Sequence, residues 1–347
     1  MKLKRILSVV LVVAMMSFVL VGCTSEPDAP EAPDAAETPD APEAPEKIVW
    51  KFGHLSNDEH LWNQTALKFA ELVAEKTDGQ MEIKVYPNEQ LGNEMDMITA
   101  IQTGTADMTI SGESLQNWAP KAAMLAIPYA ITSTEHMDKV INGELGAEIE
   151  AQITEKVGLI PLYYHKRAPR NLTTNFAVRT PEDVKGLKMR VPNVPIFVDA
   201  WSAAGANPQA MAFSEVFTGL QQGVIGAQEN PYDLIVSASF YEVQDFVNET
   251  EHVSSWIYVL VGEDQFNALT PELQAAVKEA ATEAEAWGQA EFEATAAAYK
   301  QKCIDEGMTI IEDVDKVAFQ EIMMPAVQKS LSEEQIDLLD RIIEAGR

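Results

Sequence analysis

From Ile48 onward, short apolar runs of strand length alternate with longer stretches whose apolar residues recur at helical spacing. Ile48 to Phe52 reads as a strand. Trp62 to Lys76 carries Leu67, Ala70, Leu72 and Val73 at helical spacing and stops at Asp78-Gly79. Met81 to Tyr86 is a strand closed by Pro87-Asn88, Met95 to Thr103 a helix ended by Gly104, and Ala106 to Ser111 a strand. Leu159 to His165, Leu187 to Val191 and Trp256 to Val261 are further strands. Thr180-Pro181-Glu182-Asp183 opens a helix, Ser214 caps one that Gly223 stops, and Ser332 with Gln335 forms a capping box. From Thr270-Pro271 to about Cys303 an Ala- and Glu-rich segment without further proline predicts a helix of about 45 to 50 Å. It is long enough to cross between two domains or to lie along one. Alternating strands and helices give an α/β fold.

The first 47 residues have a different pattern. Lys2, Lys4 and Arg5 precede an apolar run from Ile6 to Leu20, and Leu20-Val21-Gly22-Cys23 follows. That reads as a signal peptide, 1–22, and its last four residues resemble the lipobox of bacterial lipoproteins, which implies that Cys23 becomes the lipidated N-terminus. A short membrane anchor or a signal peptide with a coincidental Cys is the competing reading, though the run is marginal for a bilayer span, which takes about 20 residues. Residues 23–47 hold no aliphatic residue larger than Ala beyond Cys23 itself, and prolines recur at multiples of three. Such a segment builds no core and reads as a tether reaching up to roughly 75 Å if extended.

Charge narrows the function. The 347 residues carry 25 Lys+Arg against 54 Asp+Glu, a net of −29, and residues 48–347 alone hold about −25. A surface this acidic repels nucleic acid and anionic headgroups. Two cysteines, Cys23 and Cys303, exclude a disulfide scaffold and a Cys-based zinc site. No GxSxG, HExxH, Walker loop, GxGxxG or EF-hand spacing is present, and the five histidines are scattered. No catalytic residue, metal or cofactor is expected.

Against that background, positive charge gathers in His165-Lys166-Arg167-Ala168-Pro169-Arg170 and again in Lys188-Met189-Arg190-Val191-Pro192. On a strand, Lys188 and Arg190 share the face opposite Leu187, Met189 and Val191. An Arg there, beside a Pro that ends the strand, reaches into a cleft, and its paired N–H donors match a carboxylate bidentately. An ordinary surface ion pair is the competing reading of the same pattern.

Gly186-Leu187-Lys188-Met189-Arg190-Val191-Pro192-Asn193, Gly205-Ala206-Asn207-Pro208, Met211-Ala212-Phe213-Ser214-Glu215-Val216-Phe217 and Gln228-Glu229-Asn230-Pro231 resemble, in order, the TRAP transporter solute-binding proteins of the DctP type. Tyr86-Pro87-Asn88, Gln90-Leu91-Gly92 and Gly104-Thr105-Ala106-Asp107-Met108 fit the same pattern, which covers about residues 48 to 320. The chain departs from it at Gly226-Ala227, where members commonly carry Asp-Gly.

The resemblance implies a two-domain periplasmic-binding-protein clamshell with hinge strands and a long domain-spanning helix. Its domains would be 48–167 plus 256–296 and 168–255 plus 297–347. It implies capture of an organic acid, a sugar acid among the candidates, by Arg190 with Arg170, and delivery to an ion-gradient-driven TRAP permease. Asn230, Phe213, Asn193 and Glu113 would line the pocket, with His54 after the first strand; Tyr232 would bring a hydroxyl near it. The protein would sit outside the cytoplasmic membrane, held by lipid on Cys23. A clamshell that signals to a membrane kinase and a lipoprotein hydrolase of acidic sugars are the alternative functions.

Overall fold

The computed structural model describes residues 47–347. The signal peptide, Cys23 and nearly all of the tether lie outside the described residues. In chain order the elements are β1 (Ile48–Gly53), α1 (Leu61–Lys76), β2 (Met81–Tyr86), α2 (Glu94–Gln102), β3 (Met108–Ser111), α3 (Thr134–Ile141), α4 (Glu144–Val157) and β4 (Leu159–Lys166). The chain continues with β5 (Asn171–Thr174), β6 (Lys188–Val191), α5 (Pro195–Ala203), β7 (Asn207–Ala210), α6 (Val216–Gln221), β8 (Ala227–Asn230), α7 (Tyr232–Ser237) and β9 (Phe246–Asn248). It ends with β10 (Trp256–Gly262), α8 (Glu263–Asn267), α9 (Pro271–Asp305), β11 (Thr309–Ile311), α10 (Lys316–Gln328) and α11 (Glu333–Ala345).

These strands form two sheets, one in the order β2-β1-β3-β10-β4 and one in the order β11-β9-β5-β8-β6-β7. Helix-linked strands within a lobe run parallel, as βαβ crossovers require. The strand that enters each sheet from the other lobe runs against both neighbours: β10 against β3 and β4, β5 against β8 and β9. The two connecting segments, 167–170 and 249–255, lie side by side, with Arg167 N–H donating to Ser255 O at 3.2 Å and Arg170 N–H to Val253 O at 2.9 Å.

Helix α9 joins both lobes. Thr270 Oγ1 caps it by accepting from Leu273 N–H, Pro271 occupies its first turn, and its 35 residues span about 52 Å. Leu273, Val277, Ala280, Ala281, Ala284 and Gly288 are buried against the first lobe, whereas Cys303 is buried in the core of the second. A side-chain carbon on Gly288 would sit 3.0 Å from Thr65 Oγ1 of α1, so glycine there permits the close approach of the two helices.

Three local expectations are corrected. The Thr180 cap starts only a single 3-10 turn, Pro181–Val184, because Lys185 and Gly186 lead directly into β6. Ser214 caps nothing; the turn at 213–215 is closed by Glu215, whose carboxylate accepts from Ala212 N–H at 3.2 Å. Helix α11 does not join the second lobe with the rest of 297–347: Gln335 Nε2 donates to Pro120 O at 2.7 Å and His136 Nε2 to Ile342 O at 2.7 Å, which ties it to the first. Its partner α10 stays with the second lobe, Phe319 packing edge-on against Trp201 of α5.

Glu150 on α4 and Glu285 on α9 are half-buried neighbours. Burial first, and repulsion by Glu285 second, push the Glu150 carboxyl up to about 7. A folded-state pKa above the unfolded value costs stability that is fully felt above pH 7 and fades as pH falls from there toward the unfolded value. Glu150→Gln should therefore stabilise the fold by about 1–2 kcal/mol at pH 8.5, after allowance for solvent screening, and by nearly nothing at pH 4.5. Urea midpoints at the two pH values check this; an equal gain at both would refute it.

Candidate ligand-binding site

Between the sheets lies a cavity of about 390 Å³, a size typical of small-molecule sites. Trp62, Glu94, Glu113 and Ser114 line it from the first lobe, Arg167 and Arg170 from the crossover, and Arg190, Asn193, Phe213 and Asn230 from the second lobe. Across its mouth the lobes touch, Asn117 Nδ2 donating to Asn193 O at 2.9 Å.

Strand β6 places Arg190. Met189 and Val191 point into the second lobe's core with no exposure, Lys188 is exposed, and Pro192 ends the strand. Arg190 is 4% exposed. Its Nε donates to Met211 O at 2.9 Å, and its guanidinium carbon lies 5.8 Å from the centre of the Phe213 ring. Among the described residues no carboxylate pairs with it and no protein acceptor is bonded to its two terminal nitrogens. Burial lowers its pKa to about 10, so it stays charged at neutral pH.

Arg170 has a different situation. Register on the β5–β8 pair sets Asn171 opposite Asn230, which puts Arg170 beside Glu229. Its Nε donates to Glu229 Oε2 at 2.5 Å and one terminal nitrogen to Glu229 Oε1 at 2.7 Å and Glu229 O at 2.9 Å. The fork expected to help hold a ligand carboxylate is thus occupied by Glu229. Burial pushes the Glu229 carboxyl up, but Arg170 and a 2.9 Å hydrogen bond from His252 Nε2 more than offset it and hold the pKa down to about 2.

Glu113 starts a 3-10 turn after β3 and accepts from Arg167 Nη1 at 2.6 Å and from Ser255 Oγ at 3.2 Å. Asn230 donates from Nδ2 to Gln228 Oε1 at 2.7 Å. Glu94, which accepts from Ser111 Oγ at 2.5 Å, has its pKa raised by burial above all. Three buried guanidiniums, those of Arg167, Arg170 and Arg190, therefore face two carboxylates that are already paired, Glu113 and Glu229. Of the three guanidiniums, Arg190 is the one without a carboxylate partner among the described residues, and it presents its charge to the cavity.

Two sequence expectations fail here. His54 lies outside the cavity, buried between Asn63 Oδ1 at 3.2 Å and Ser56 Oγ at 3.0 Å, and burial drops its pKa to about 4. Tyr232 turns its hydroxyl away to donate to Glu249 Oε1 at 2.9 Å. Arg190, Arg170, Asn230, Phe213, Asn193 and Glu113 all reach the cavity, Asn193 at its exposed rim. Sequence reading did not single out Trp62, Glu94, Arg167 or Glu229. Arg167 sits in the basic stretch already noted and Glu229 inside the Gln-Glu-Asn-Pro motif, so charge neighbours of known candidates were the available signal. Trp62 and Glu94 carried none.

Comparison with known proteins shows the family. Residues 52–334 match the model of the family described as bacterial extracellular solute-binding protein, family 7, DctP. A solute-binding protein of Roseobacter denitrificans is 50% identical over 289 residues, 83% of this chain and 89% of the relative. A crystal structure of a TRAP periplasmic solute-binding protein from that organism, with bound L-galactonate, superposes with a TM-score of 0.84 at 48% identity, covering 86% of this chain and 99% of that one. The 2,3-diketo-L-gulonate-binding periplasmic protein of Escherichia coli is 35% identical over 279 residues, 79% of this chain and 84% of its own length. A TRAP periplasmic solute-binding protein of Chromohalobacter salexigens, solved with D-glucuronate, matches with a TM-score of 0.81 at 32% identity, covering 85% and 99% of the two chains. By its sequence, its two-sheet fold and its place among these relatives, the chain belongs to family 7 of the bacterial extracellular solute-binding proteins, the DctP family of extracytoplasmic TRAP binding proteins that bind a solute without transforming it.

Proposed function

We propose that the cavity captures a sugar acid, an aldonate or uronate, with the acid's carboxylate on the free fork of Arg190. The observation that carries this is the buried Arg190 guanidinium, which has no carboxylate of its own among the described residues while Arg167 and Arg170 have Glu113 and Glu229. A desolvated cation of that kind is costly unless an anion arrives. Trp62 and Phe213 offer apolar faces to a sugar ring or chain, and Asn230, Glu94 and Glu113 offer acceptors for hydroxyls. Relatives that hold L-galactonate and D-glucuronate, and one named for 2,3-diketo-L-gulonate, support this ligand class.

Closure turns the lobes about segments 167–170 and 249–255, removes water from the Arg190–carboxylate pair and creates the face that a TRAP permease driven by an ion gradient recognises. Lipid on Cys23 keeps the protein beside that permease; globomycin should slow its processing and change its electrophoretic mobility, and unchanged mobility would refute the anchor.

A thermal-shift screen of the soluble chain against L-galactonate, D-glucuronate, D-galacturonate and 2,3-diketo-L-gulonate, each beside its neutral aldose or alditol, tests the ligand class. At 100 times the dissociation constant a true ligand adds about 2.7 kcal/mol, or several degrees in Tm. Stabilisation by acids alone is the expected result; equal shifts with neutral sugars would overturn the role of Arg190.

A further inference from the structure

The charges around the ligand cavity are lopsided. Its lining holds three guanidiniums and five carboxylates. Glu113 pairs with Arg167, and Glu229, just behind the wall, pairs with Arg170. What remains to meet a ligand is one cation, Arg190, and four carboxylates, Glu89, Glu94, Asp96 and Glu215, none of which has a cation within bonding distance among the described residues. Three of the four belong to the first lobe, across the cavity from Arg190 on β6.

Glu94 is anchored among them. Asp96 and Glu215 are exposed, and their carboxylates close local turns by accepting from Asn93 N–H at 3.3 Å and Ala212 N–H at 3.2 Å. Glu94 is the first residue of α2 and is partly exposed where it lines the cavity. Its Oε1 accepts from the hydroxyl of Ser111, a residue of β3 with no exposure, at 2.5 Å. The serine fixes where the carboxyl sits, and the helix N-terminus favours its charge, against burial, which pushes its pKa up. A carboxylate held in this way accepts from a hydroxyl but has no hydrogen to offer a second carboxylate. Two like charges brought together in a cavity that excludes water repel strongly.

We propose that Glu94 determines the specificity of this cavity, admitting acids with one carboxylate and hydroxyls farther along the chain and excluding diacids of the same length. Arg190 supplies the socket for the carboxylate, and Glu94 accepts from the hydroxyls across from it. The inference deepens the sugar-acid reading and rests on Arg190 holding the acid. It selects aldonates and uronates over aldarates, whose second carboxylate would meet Glu94. Turned away from Glu94, that second carboxylate meets Glu89, Asp96 and Glu215 around the mouth, so no orientation relieves the repulsion. Discrimination of this kind comes from a repulsive element as much as from an attractive one.

The test compares two pairs of compounds by calorimetric titration of the soluble chain from Thr24 onward. One pair is L-galactonate and galactarate, which differ only in a terminal hydroxymethyl group replaced by a carboxylate; the other is 6-hydroxyhexanoate and adipate, with the same change and no other hydroxyls. The parent should bind L-galactonate at least about a hundredfold tighter than galactarate. Glu94→Gln, which keeps the shape and removes the charge, should weaken L-galactonate severalfold and tighten galactarate severalfold, cutting the preference to about tenfold or less. Glu94→Asp, which keeps the charge, should weaken L-galactonate yet retain most of the preference, a rescue that a purely structural role would not give. Galactarate binding the parent as tightly as L-galactonate does, as a protonated and hydrogen-donating Glu94 would permit, overturns the proposal without any variant. So does a preference that Glu94→Gln leaves intact. If only 6-hydroxyhexanoate and adipate bind and the preference holds between them, Glu94 keeps its role and the sugar-acid reading falls. Binding by none of the four would overturn both.

Discussion

Arg190→Ala should weaken sugar-acid binding by about 3–5 kcal/mol, a hundredfold to several thousandfold, as truncation of one partner in a desolvated, hydrogen-bonded charge pair does. The size follows from what surrounds the residue. Arg190 is 4% exposed, anchored through Nε to Met211 O, and backed by Phe213, so its two terminal nitrogens meet the ligand without reorganising. Arg170 offers a ligand only its Nη1, because its Nε and Nη2 are occupied by Glu229. Arg190→Lys retains charge but loses the paired donors and the Nε anchor, and an intermediate loss is expected. Ligand-free stability should not fall with either change, since a buried cation without a partner burdens the empty fold. Calorimetric titration alongside urea unfolding reads both quantities, and an Arg190→Ala protein that binds as tightly as the parent would end the assignment.

Glu229→Ala should have the opposite signature, with the fold itself losing about 3–5 kcal/mol. Glu229 is fully buried and accepts from Arg170 through both oxygens and from His252, so truncation strands a guanidinium inside the protein. The damage also reaches the ligand site. Freed from Glu229, the Arg170 guanidinium adds a second unpaired charge to the wall, and its position is no longer set. Glu229→Gln keeps the shape and one acceptor and should fall between. Because the carboxyl pKa is held near 2, the Arg170–Glu229 contribution is fully present above the unfolded carboxylate's pKa and is lost as pH falls toward 2. The destabilisation of Glu229→Ala relative to the parent should therefore be the same at pH 6 and pH 8. A loss under about 1 kcal/mol at both would mean that the pair is not the support described.

Much of the architecture was legible in the chain because local rules decide it. Met81–Tyr86 is a strand with the expected bounds, the Ser332–Gln335 capping box forms, and the helix from Pro271 runs to Asp305, each set by a pattern complete within a few residues. The motif residues Arg190, Asn230 and Phe213 line one cavity. Where reading failed, a competing neighbour or a distant partner decided. Ser214 lost its capping role to the Glu215 carboxylate, and α11 returned to the first lobe because His136 and Pro120 offered bonds there.

The charges divide the same way. That Arg190 ends a strand beside a proline is written in Lys188-Met189-Arg190-Val191-Pro192, since side-chain alternation on a strand is a local property. That Arg170 is paired and Arg190 is not depends on Glu229, 59 residues from Arg170 in sequence and brought within reach of it only by the β5–β8 pairing, in which Glu229 faces Leu172. Likewise His54 follows the first strand as expected, yet packing onto Asn63 and Ser56 closes it off from the cavity. Sequence alone determined which elements form and which residue types could bind an anion, because those follow from neighbours along the chain. Only the tertiary structure decided which cation was left free to do so, because ionic pairing inside a protein depends on which groups folding brings together and removes from water.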